Sequence, residues 1–356
     1  MGKQTVAIIY GGKSVEHQIS INSAKNIFEY IDKSKYEPIA IGISPKGDWF
    51  LKETIDGNFD GQPKLGLVLS TQNRGFQNLD TNEIFSPDVI FPVLHGTDGE
   101  DGSIQGLLQA FEFPFAGTGV LGSAVSMSKL VSKKMLQSAG IPISQFVSYT
   151  YNERGSIDYE MIKTKLGLPF MAKAANLGSS VGVAKVKSKQ DFDAALDEVF
   201  KFDNLILFEQ YVTGRELECS VMGNDTPIAS LPAEIVISKE YEFYTYEAKY
   251  LDPNAVELKI PAEVDQNISD KIRDLSIKAY QALHCEDFSR VDLFLTENGD
   301  ILINEINTIP GFTNSSMFPM MWKERGISFT DLITKLIEMA LIKHQANQRI
   351  SNEYQP

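Results

Sequence analysis

The sequence predicts an α/β protein with a parallel sheet in its N-terminal part. The pattern of apolar residues indicates the class, and the chain length indicates the number of domains. In the first hundred residues, short apolar runs at 6–10, 39–43 and 88–94 alternate with helical spacing at 20–31 and 102–111. Such alternation is typical of parallel strands joined by helices. The length of 356 residues corresponds to two or three domains at roughly 150 residues each.

The rest of the chain continues the alternation. Residues 52–82 are polar and rich in Gly and Asn, so we expect a loop there. The other expected elements are helices at 123–139, 190–200, 267–284 and 330–344, strands at 170–174, 181–186, 205–210, 216–222 and 228–237, a polar aromatic loop at 239–255 and a strand pair at 288–307.

Composition limits the function classes. The chain has 33 Lys and Arg against 47 Asp and Glu, a net charge of −14, which argues against nucleic acid or an anionic membrane as partner. Cys219 and Cys285 form no CxxC pair, so neither a disulfide framework nor a cysteine-rich zinc site is expected. No apolar run reaches the ~18 residues of a membrane span, and the first residues carry no signal-peptide pattern. We therefore expect a cytoplasmic protein.

Two glycine-rich motifs look like nucleotide loops and are weak on inspection. Gly11-Gly12-Lys13-Ser14 lacks the first glycine of a P-loop, because Ala7 stands at that position. Residues 117–122 match G-x-G-x-x-G, but no acidic residue follows before Glu153, where a dinucleotide site needs one about 20 residues on. For residues 117–122 we favour a turn that leads into a helix. The competing interpretation is the dinucleotide loop of a nicotinamide dehydrogenase.

The strand pair at 288–307 carries the most specific pattern. Asn298-Gly299 is typical of a two-residue hairpin turn, and such a turn places Asp292 opposite Glu305 and Arg290 opposite Asn307, all on one face. Opposed carboxylates repel unless a cation lies between them. Carboxylate and amide oxygens suit Mg²⁺ or Mn²⁺, and an arginine binds phosphate or carboxylate. The competing interpretation is a solvated polar face on an edge hairpin.

Other candidates have equally plausible structural roles. Lys173 precedes the small-residue segment 176–182, which suits a phosphate loop or a plain hairpin. Lys129 has the pattern of a surface lysine, and Glu209 and Glu216 have that of solvated strand ends. Glu16 and His95 follow strands of the first sheet, where ligands bind in such folds, although His95 suits a structural role equally well. The Gly311 N–H either stabilises an oxyanion or only forms a turn.

Taken in order, these motifs resemble the D-alanine–D-alanine ligases of the ATP-grasp superfamily. The matching segments are 11–17, 95–102, 173–182, 243–250, 290–292 and 304–313, spread over nearly the whole chain. The resemblance implies a three-lobed ATP-grasp fold with a Rossmann-like N-terminal domain and boundaries at 1–118, 119–211 and 212–356. It implies ATP-dependent joining of two D-alanines through a D-alanyl phosphate, for peptidoglycan synthesis, by a homodimer.

The resemblance also implies the role of each matching residue. For ATP these are Lys129, Lys173, Ser180, Glu209, Gln210, Val212, Glu216 and Lys249. For two Mg²⁺ or Mn²⁺ ions per subunit they are Asp292, Glu305 and Asn307. For the amino acids they are Glu16, His95, Tyr250, Arg290, Ser316 and Met317. The residues implied in catalysis are Glu16, Ser179, Tyr250, Arg290 and Gly311, and residues 239–255 resemble the lid that excludes water.

Tyr250 bears on the second substrate. In similar ligases this tyrosine bonds a serine and a glutamate, here Ser179 and Glu16, whereas relatives that use D-lactate have Phe or His in the lid. Tyr250 therefore favours an amine nucleophile. Met317 stands where leucine is common and Ala174 where proline is common, so a D-serine or D-lactate ligase of the same fold remains the alternative. A non-enzymatic nucleotide-binding module is disfavoured by the intact set around Asp292.

Overall fold

The chain is described here from a computed structural model covering residues 2–68, 70, 73–178, 181–238 and 255–350. Within these ranges the strands form four sheets. The three larger sheets follow one another along the chain, and their mixture with helices matches the α/β class that the sequence predicts.

The first unit confirms the predicted parallel sheet. Its elements are β1 (Gln4–Gly11), α1 (His17–Tyr30), β2 (Tyr36–Ile43), β3 (Trp49–Lys52), β4 (Leu65–Val68), β5 (Gly75–Asn78), β6 (Ile84–Phe85), β7 (Val89–Val93) and α2 (Ser103–Ala110). β1 pairs in parallel with β2 and β7, while the edge strand β3 runs antiparallel to β2. The loops after β1 and β7 therefore emerge side by side, which brings the segments after Gly11 and Val93 together.

The loop expected at residues 52–82 is only partly a loop. β4 and β5 lie there and form a small antiparallel sheet with β6. Phe76 of β5 is fully buried and stacks near Trp49, Phe85 and Phe113, with ring centroids 5.7–6.1 Å away. The expectation of a loop was wrong because one aromatic anchor stabilises strands whose polar, glycine-rich composition indicates none.

The second unit has a four-stranded antiparallel sheet in the order β10-β9-β11-β8. Its elements are α3 (Val120–Met127), α4 (Lys129–Ser138), β8 (Phe146–Thr150), a 3₁₀ turn (Tyr151–Ser156), α5 (Tyr159–Leu166), β9 (Phe170–Ala174), β10 (Val183–Val186), α6 (Lys189–Val199) and β11 (Leu205–Gln210). The strands β9 and β11 match the prediction, whereas β8 and α5 were not predicted.

The single helix expected at 123–139 is two helices. Ser128 is extended, with φ −82° and ψ 102°, and separates α3 from α4. The break lets the Lys129 N–H donate to the carbonyl of Ala175, 2.8 Å away, just after β9. The apolar periodicity continues through the break because both helices bury one face, so the sequence pattern did not reveal it.

The third unit is an antiparallel sheet in the order β15-β14-β12-β16-β17, with β13 also on β12. Its elements are β12 (Gly214–Met222), β13 (Ile228–Ala229), β14 (Ala233–Ile237), β15 (Val256–Lys259), α7 (Gln266–Ala282), β16 (Phe288–Thr296), β17 (Ile301–Asn307), α8 (Met317–Glu324) and α9 (Phe329–Gln348). The strand expected at 228–237 is interrupted near Pro232, which lacks a backbone donor. None of the described helices is long and apolar enough to cross a membrane.

The hydrophobic cores do not follow the order of the chain. One core cluster joins Ile8 and Phe91 of the first sheet to Phe312, Trp322 and the buried face of α9. A separate cluster is formed only by residues from Val147 to Phe208 of the second unit. The first and third units therefore share a core, and residues 147–208 have their own, while Val125 of α3 and Leu136 of α4 pack in the core of the third unit.

A substitution at Phe208 tests how much the core formed by residues 147–208 contributes to the free energy of unfolding. The Phe208 side chain is fully buried and its ring lies 5.5–6.2 Å from those of Tyr149, Phe170 and Phe192. We expect Phe208→Ala to lower the free energy of unfolding by about 3–5 kcal/mol, because it leaves a cavity among rings. Urea unfolding followed by circular dichroism measures this. Phe202→Ala, at a side chain 47% exposed, is the matched control and should cost less than about 1 kcal/mol.

Candidate active site

The β16–β17 hairpin places its polar residues as predicted, although by a different turn. Asp292 pairs with Glu305, and Arg290 with Asn307. Nearer the turn, however, Leu295 pairs with Ile301, so residues 297–299 form a three-residue loop and the two-residue turn was wrong. A register shift beside Asp292 leaves Asn304 as an extra residue and restores the predicted pairs.

The two faces of this hairpin are chemically distinct. Val291, Leu293, Leu295 and Ile306 are all at most 8% exposed and pack in the third unit's core. Their alternation forces Arg290, Asp292, Glu305 and Asn307 onto the opposite face, as the period of two predicted. The bulge adds Asn304, which lines the same cavity as Asp292 and Glu305. The backbone thus fixes a row of oxygen donors along one face.

Arg290 is held by two carboxylates. Its Nε and Nη2 donate to both oxygens of Asp292 at 2.7 and 2.8 Å, and Nε lies 3.1 Å from Oε2 of Glu218. Glu218 pairs with Asp292 across β12 and β16 and is buried. Sequence analysis missed Glu218; its spacing of two from Glu216 within one strand was the signal that both side chains share a face.

A buried carboxylate lies between two lysines in the second unit. Oε2 of Glu209 accepts from Nζ of Lys173 at 2.9 Å, and Oε1 lies 3.5 Å from Nζ of Lys133. Lys133, which also donates to Ser144, is 1% exposed and was not singled out by sequence analysis. Its position four residues after Lys129, on the same side of α4, was the available signal.

The pKa directions in this group follow from burial and charge. Burial alone raises the pKa of Glu209, but the positive charges of Lys133 and Lys173 outweigh it and the pKa is lowered. Burial likewise lowers the pKa of Lys173, and the charges of Glu209 and Glu305 more than reverse this. Burial prevails for Lys133, whose pKa is lowered. Glu209 and Lys173 are therefore both charged near neutral pH.

Lys129 connects the second and third units. As the first residue of α4, it directs Nζ to the carbonyl of Leu177 at 2.6 Å and to Oε2 of Glu305 at 3.3 Å. Its side chain is 13% exposed, so the interpretation as a surface lysine was wrong. The break at Ser128 is what aims this cation between the 176–182 segment and the hairpin.

One cavity of about 220 Å³ collects most of the residues predicted for nucleotide and metal. The predicted residues that line it are Lys129, Lys173, Glu209, Gln210, Val212, Glu216, Asp292 and Glu305. Met171, Ile235 and Phe294 supply apolar walls. Asn307 follows on the same face of the hairpin beside Arg290. A cavity that combines apolar walls with charged groups suits a purine carrying a polyphosphate.

The cavity is negatively charged among the described residues. Five carboxylates line it, those of Glu209, Glu216, Glu218, Asp292 and Glu305, against two lysines, Lys129 and Lys173. A polyanion entering this cavity needs additional cations, and Asp, Glu and Asn oxygens are the donors that Mg²⁺ and Mn²⁺ prefer.

The third donor of a metal site is an amide. Within the described ranges, no three His, Cys, Asp or Glu side chains are arranged as a metal site. The predicted set differs from such a cluster because it consists of two carboxylates and the amide of Asn307. The chemistry of these donors and the excess negative charge fit a divalent ion.

Glu16 lies at the other end of the site. It directly precedes α1 and is 8% exposed. Its Oε2 lies so close to Gly96 that a Cβ there would be 2.4 Å away, and a Cβ on Gly178 would be 3.9 Å away. Gly96 also has φ +75°. A side chain at position 96 would therefore displace the carboxylate, which explains glycine there.

His95, which is buried, and Glu100, which is half-buried, lie where the first and third units meet. Nδ1 of His95 lies 2.9 Å from the carbonyl of Ile309, and Nε2 lies 3.0 Å from Oγ of Ser23. Glu100 accepts from the backbone N–H groups of Gly96 at 2.7 Å and Ile309 at 3.3 Å. Both ring nitrogens of the predicted substrate residue His95 thus have protein partners.

The remaining predicted residues lie at the start of α8. Ser316 caps that end of the helix, and its Oγ accepts from the Thr313 N–H at 3.0 Å. Oγ also lies so close to Gly311 that a Cβ there would be 2.7 Å away. The Met317 side chain is buried with Ala233, Ile235 and Met321, so it packs in a small core. Its backbone, in the first turn of α8, belongs to a helix end that favours anions.

Four predicted residues lie outside the described residues. These are Ser179, Ser180, Lys249 and Tyr250, together with the predicted lid apart from Ala255. Their assignments stay predictions.

Comparisons with known proteins identify the family of this chain. The family described as D-ala D-ala ligase N-terminus matches residues 5–118, and that described as D-ala D-ala ligase C-terminus matches residues 135–338. The D-alanine–D-alanine ligase of Shouchella clausii is 42% identical over 99% of this chain and 98% of its own length. D-alanine–D-alanine ligase A of Escherichia coli K12 is 43% identical over 98% and 99%.

The chain belongs to the D-alanine–D-alanine ligase family. Among solved structures of that fold, the ligase from Coxiella burnetii has a TM-score of 0.88 and 34% identity, covering 98% of this chain and 97% of its own. The VanG D-Ala:D-Ser ligase from Enterococcus faecalis has a TM-score of 0.87 and 33% identity, covering 95% and 100%. These likenesses confirm the ATP-grasp fold that the sequence motifs implied.

Glu100 gives this family member a pH-dependent stability. Burial, with the charge of Glu16 adding to it, raises the pKa of Glu100 from 4.5 to about 8. The unfolded chain ionises this carboxyl near 4.5, so the stability that the protonated folded form contributes is lost as pH rises from there to about 8. Between pH 6 and pH 8, we expect the parent to lose stability relative to Glu100→Gln by up to about 1.4 kcal/mol per pH unit.

Thermal unfolding of ligand-free protein at the two pH values measures this difference. Glu83→Gln, at an exposed glutamate, is the control, and its difference from the parent should stay constant. A constant difference for Glu100→Gln as well would contradict the raised pKa.

Proposed function

We propose that this protein joins two D-alanines with ATP, forming D-alanyl-D-alanine, ADP and phosphate for peptidoglycan synthesis in the cytoplasm, where ATP is supplied. The observation that carries the proposal is the cavity between the second and third units. It combines phosphate-binding lysines with a row of carboxylates in a chain of this family. The names of the relatives supply the substrate class.

The nucleotide end follows from the cavity. Lys129 and Lys173 bind phosphate oxygens, and Glu216 accepts from the ribose hydroxyls. Glu209, held by Lys133 and Lys173, keeps a carboxylate oxygen available to an amino donor of the base, while the backbone at Gln210 and Val212 contacts the ring. Glu209 therefore favours adenine over a base that presents a carbonyl at the same place.

Asp292, Glu305 and Asn307 would hold the divalent ions. Such ions neutralise the phosphate charge and orient the transferred group. Because a cation held by Asp292 would occupy the oxygens that Arg290 uses, Glu218 would remain as the second carboxylate that holds the arginine. Glu218 would keep Arg290 oriented while part of the arginine's charge became available to the substrate.

The amino acids occupy the end near Glu16. The first D-alanine places its ammonium on Glu16, and its carboxylate oxygen attacks the γ-phosphorus of ATP while ADP leaves. The amine of the second D-alanine, whose carboxylate lies at Ser316 and Met317, then attacks the acyl carbon. Arg290 and the Gly311 N–H stabilise the oxyanion, and phosphate leaves. Tyr250, Ser179 and Lys249 complete this end of the site in the proposal.

Substrate choice is the first test. We expect ADP formation with Mg²⁺ and D-alanine and none above background with L-alanine. With the ammonium on Glu16 and the carboxylate at Arg290, L-alanine would direct its methyl group to the opposite side of the site. A coupled ADP assay with product analysis measures both reactions. Mixtures of D-alanine with D-serine or D-lactate test the alternative, which the likeness to the D-Ala:D-Ser ligase keeps open. Absence of D-alanine-dependent ADP formation would refute the proposal.

Metal dependence is the second test. We expect Asp292→Asn to lower kcat/KM at least about 100-fold at fixed Mg²⁺, because it removes one charge from the ion's donor set. The apparent affinity for Mn²⁺, measured by electron paramagnetic resonance in the presence of ADP, should fall as well. Asp300→Asn makes the same chemical change at the exposed hairpin tip and should leave both unchanged. Equal Mn²⁺ affinity in the two variants would remove Asp292 from the proposed site.

A further inference from the structure

Three hydrogen bonds cross from the first unit to the segment 309–312 of the third. The carbonyl of Ile309 accepts from His95, the N–H of Ile309 donates to Glu100, and the N–H of Phe312 donates to Oγ of Ser23 at 3.2 Å. These contacts join residues more than 200 positions apart. They flank Gly311, the predicted oxyanion donor, on both sides.

The donor and acceptor roles in this network are fixed. A carbonyl only accepts, so Nδ1 of His95 carries the hydrogen that bonds Ile309. Nε2 of the neutral ring then accepts from the Ser23 hydroxyl, whose oxygen accepts from the Phe312 N–H. Burial lowers the pKa of His95, which is consistent with a neutral ring. The imidazole thus has no hydrogen-bonding atom left for a substrate while the network is intact.

The network is also rigidly packed. Ser23 and Phe312 are fully buried and His95 is 4% exposed. The Phe312 ring packs edge-to-face on Phe91 of β7 with centroids 5.6 Å apart. Side chains in such surroundings have few alternative rotamers, so loss of one bond is transmitted to the backbone of 309–312.

Ser23 further links the two halves of the reaction site. It lies seven residues after Glu16, two turns along α1, on the same face of that helix. One end of α1 therefore carries the carboxylate proposed for the first substrate's ammonium, and its second turn holds the segment that carries the oxyanion donor. The distance between the bound amino acid and the Gly311 N–H depends on this link.

We propose that Ser23 and His95 are positioning residues that fix the Gly311 N–H relative to Glu16, and that His95 acts through the 309–312 backbone instead of contacting substrate. This inference rests on the proposed ligase activity. It replaces the substrate contact that sequence resemblance implied for His95.

The test is a double-mutant cycle on turnover. We expect Ser23→Ala to lower kcat about 10-fold, with the KM of D-alanine and of ATP changed less than about 3-fold, because the oxyanion donor acts in the transition state. His95→Asn keeps a donor for the Ile309 carbonyl and loses the bond to Ser23, so it should match Ser23→Ala. The double variant should be no slower than the slower single variant, because both remove one link.

Ser126→Ala is the matched control, since Ser126 is also a buried serine but bonds Cys285 away from the segment. Its kcat should equal that of the parent. The inference would be overturned in favour of a substrate contact by either of two results. One is that the two substitutions lower kcat multiplicatively in the double variant, and the other is that His95→Asn alone raises the KM for D-alanine. Unchanged kcat in Ser23→Ala would assign the network a purely structural role.

Amide hydrogen exchange gives a readout that needs no activity. In ligand-free Ser23→Ala we expect the peptide containing Phe312 to exchange faster than in the parent, because its N–H loses its acceptor. Ser126→Ala should leave that peptide unchanged, and equal exchange in all three proteins would refute the link. A parent without D-alanine-dependent ADP formation would refute the proposed function, whereas an active parent with an unaffected Ser23→Ala variant refutes only this inference.

Discussion

Mutual repulsion among carboxylates in one cavity is the constraint on which the site depends. Glu218, Asp292 and Glu305 occupy adjacent positions on three neighbouring strands, so the sheet holds them at cross-strand distance. Arg290 and Lys129 offset part of that charge in the ligand-free chain. The negative charge that remains favours binding of further cations, which a metal-bound polyphosphate supplies. The same repulsion among carboxylates therefore favours binding of the ligand and destabilises the ligand-free site.

In the second unit, the charge of a buried carboxylate is balanced by lysine side chains of the protein and not by a ligand. Glu209 is buried between two lysines and remains charged because they outweigh the cost of burial. Removing both lysines would leave a buried charge that the low-dielectric interior penalises by several kcal/mol. The nucleotide pocket thus has one wall whose carboxylate is already paired with lysines and another wall that requires cations. Lys129 lies between them, with Nζ bonded to the Leu177 carbonyl and 3.3 Å from Oε2 of Glu305.

Local sequence patterns predicted the strands and the hairpin face well because they depend on period-two alternation alone. The pairing of Asp292 with Glu305 was also predicted, but from a two-residue turn that does not exist. A longer loop at the tip and a bulge at Asn304 each shift the register by one residue, and the shifts cancel. Patterns between neighbours cannot reveal such compensation, because a bulge changes which residues oppose one another without changing which are apolar.

Features that depend on distant contacts were not predictable in this way. The break at Ser128 is stabilised through the carbonyl of Ala175, and the exclusion of Lys133 from solvent depends on Glu209. His95 likewise has a role set by Ile309, a residue 214 positions later. In each case the sequence shows that the residue or its neighbours along the chain are polar. Only the fold shows which distant residue it contacts.

The shared core of the first and third units has a consequence for synthesis of the chain. α1 and β7 bury part of their apolar surface against Phe312, Trp322 and α9, which leave the ribosome after the whole second unit. Residues 147–208 close a core that ends at Phe208. These residues can therefore complete their core during synthesis while the earlier α1 and β7 still lack the later segments that cover them.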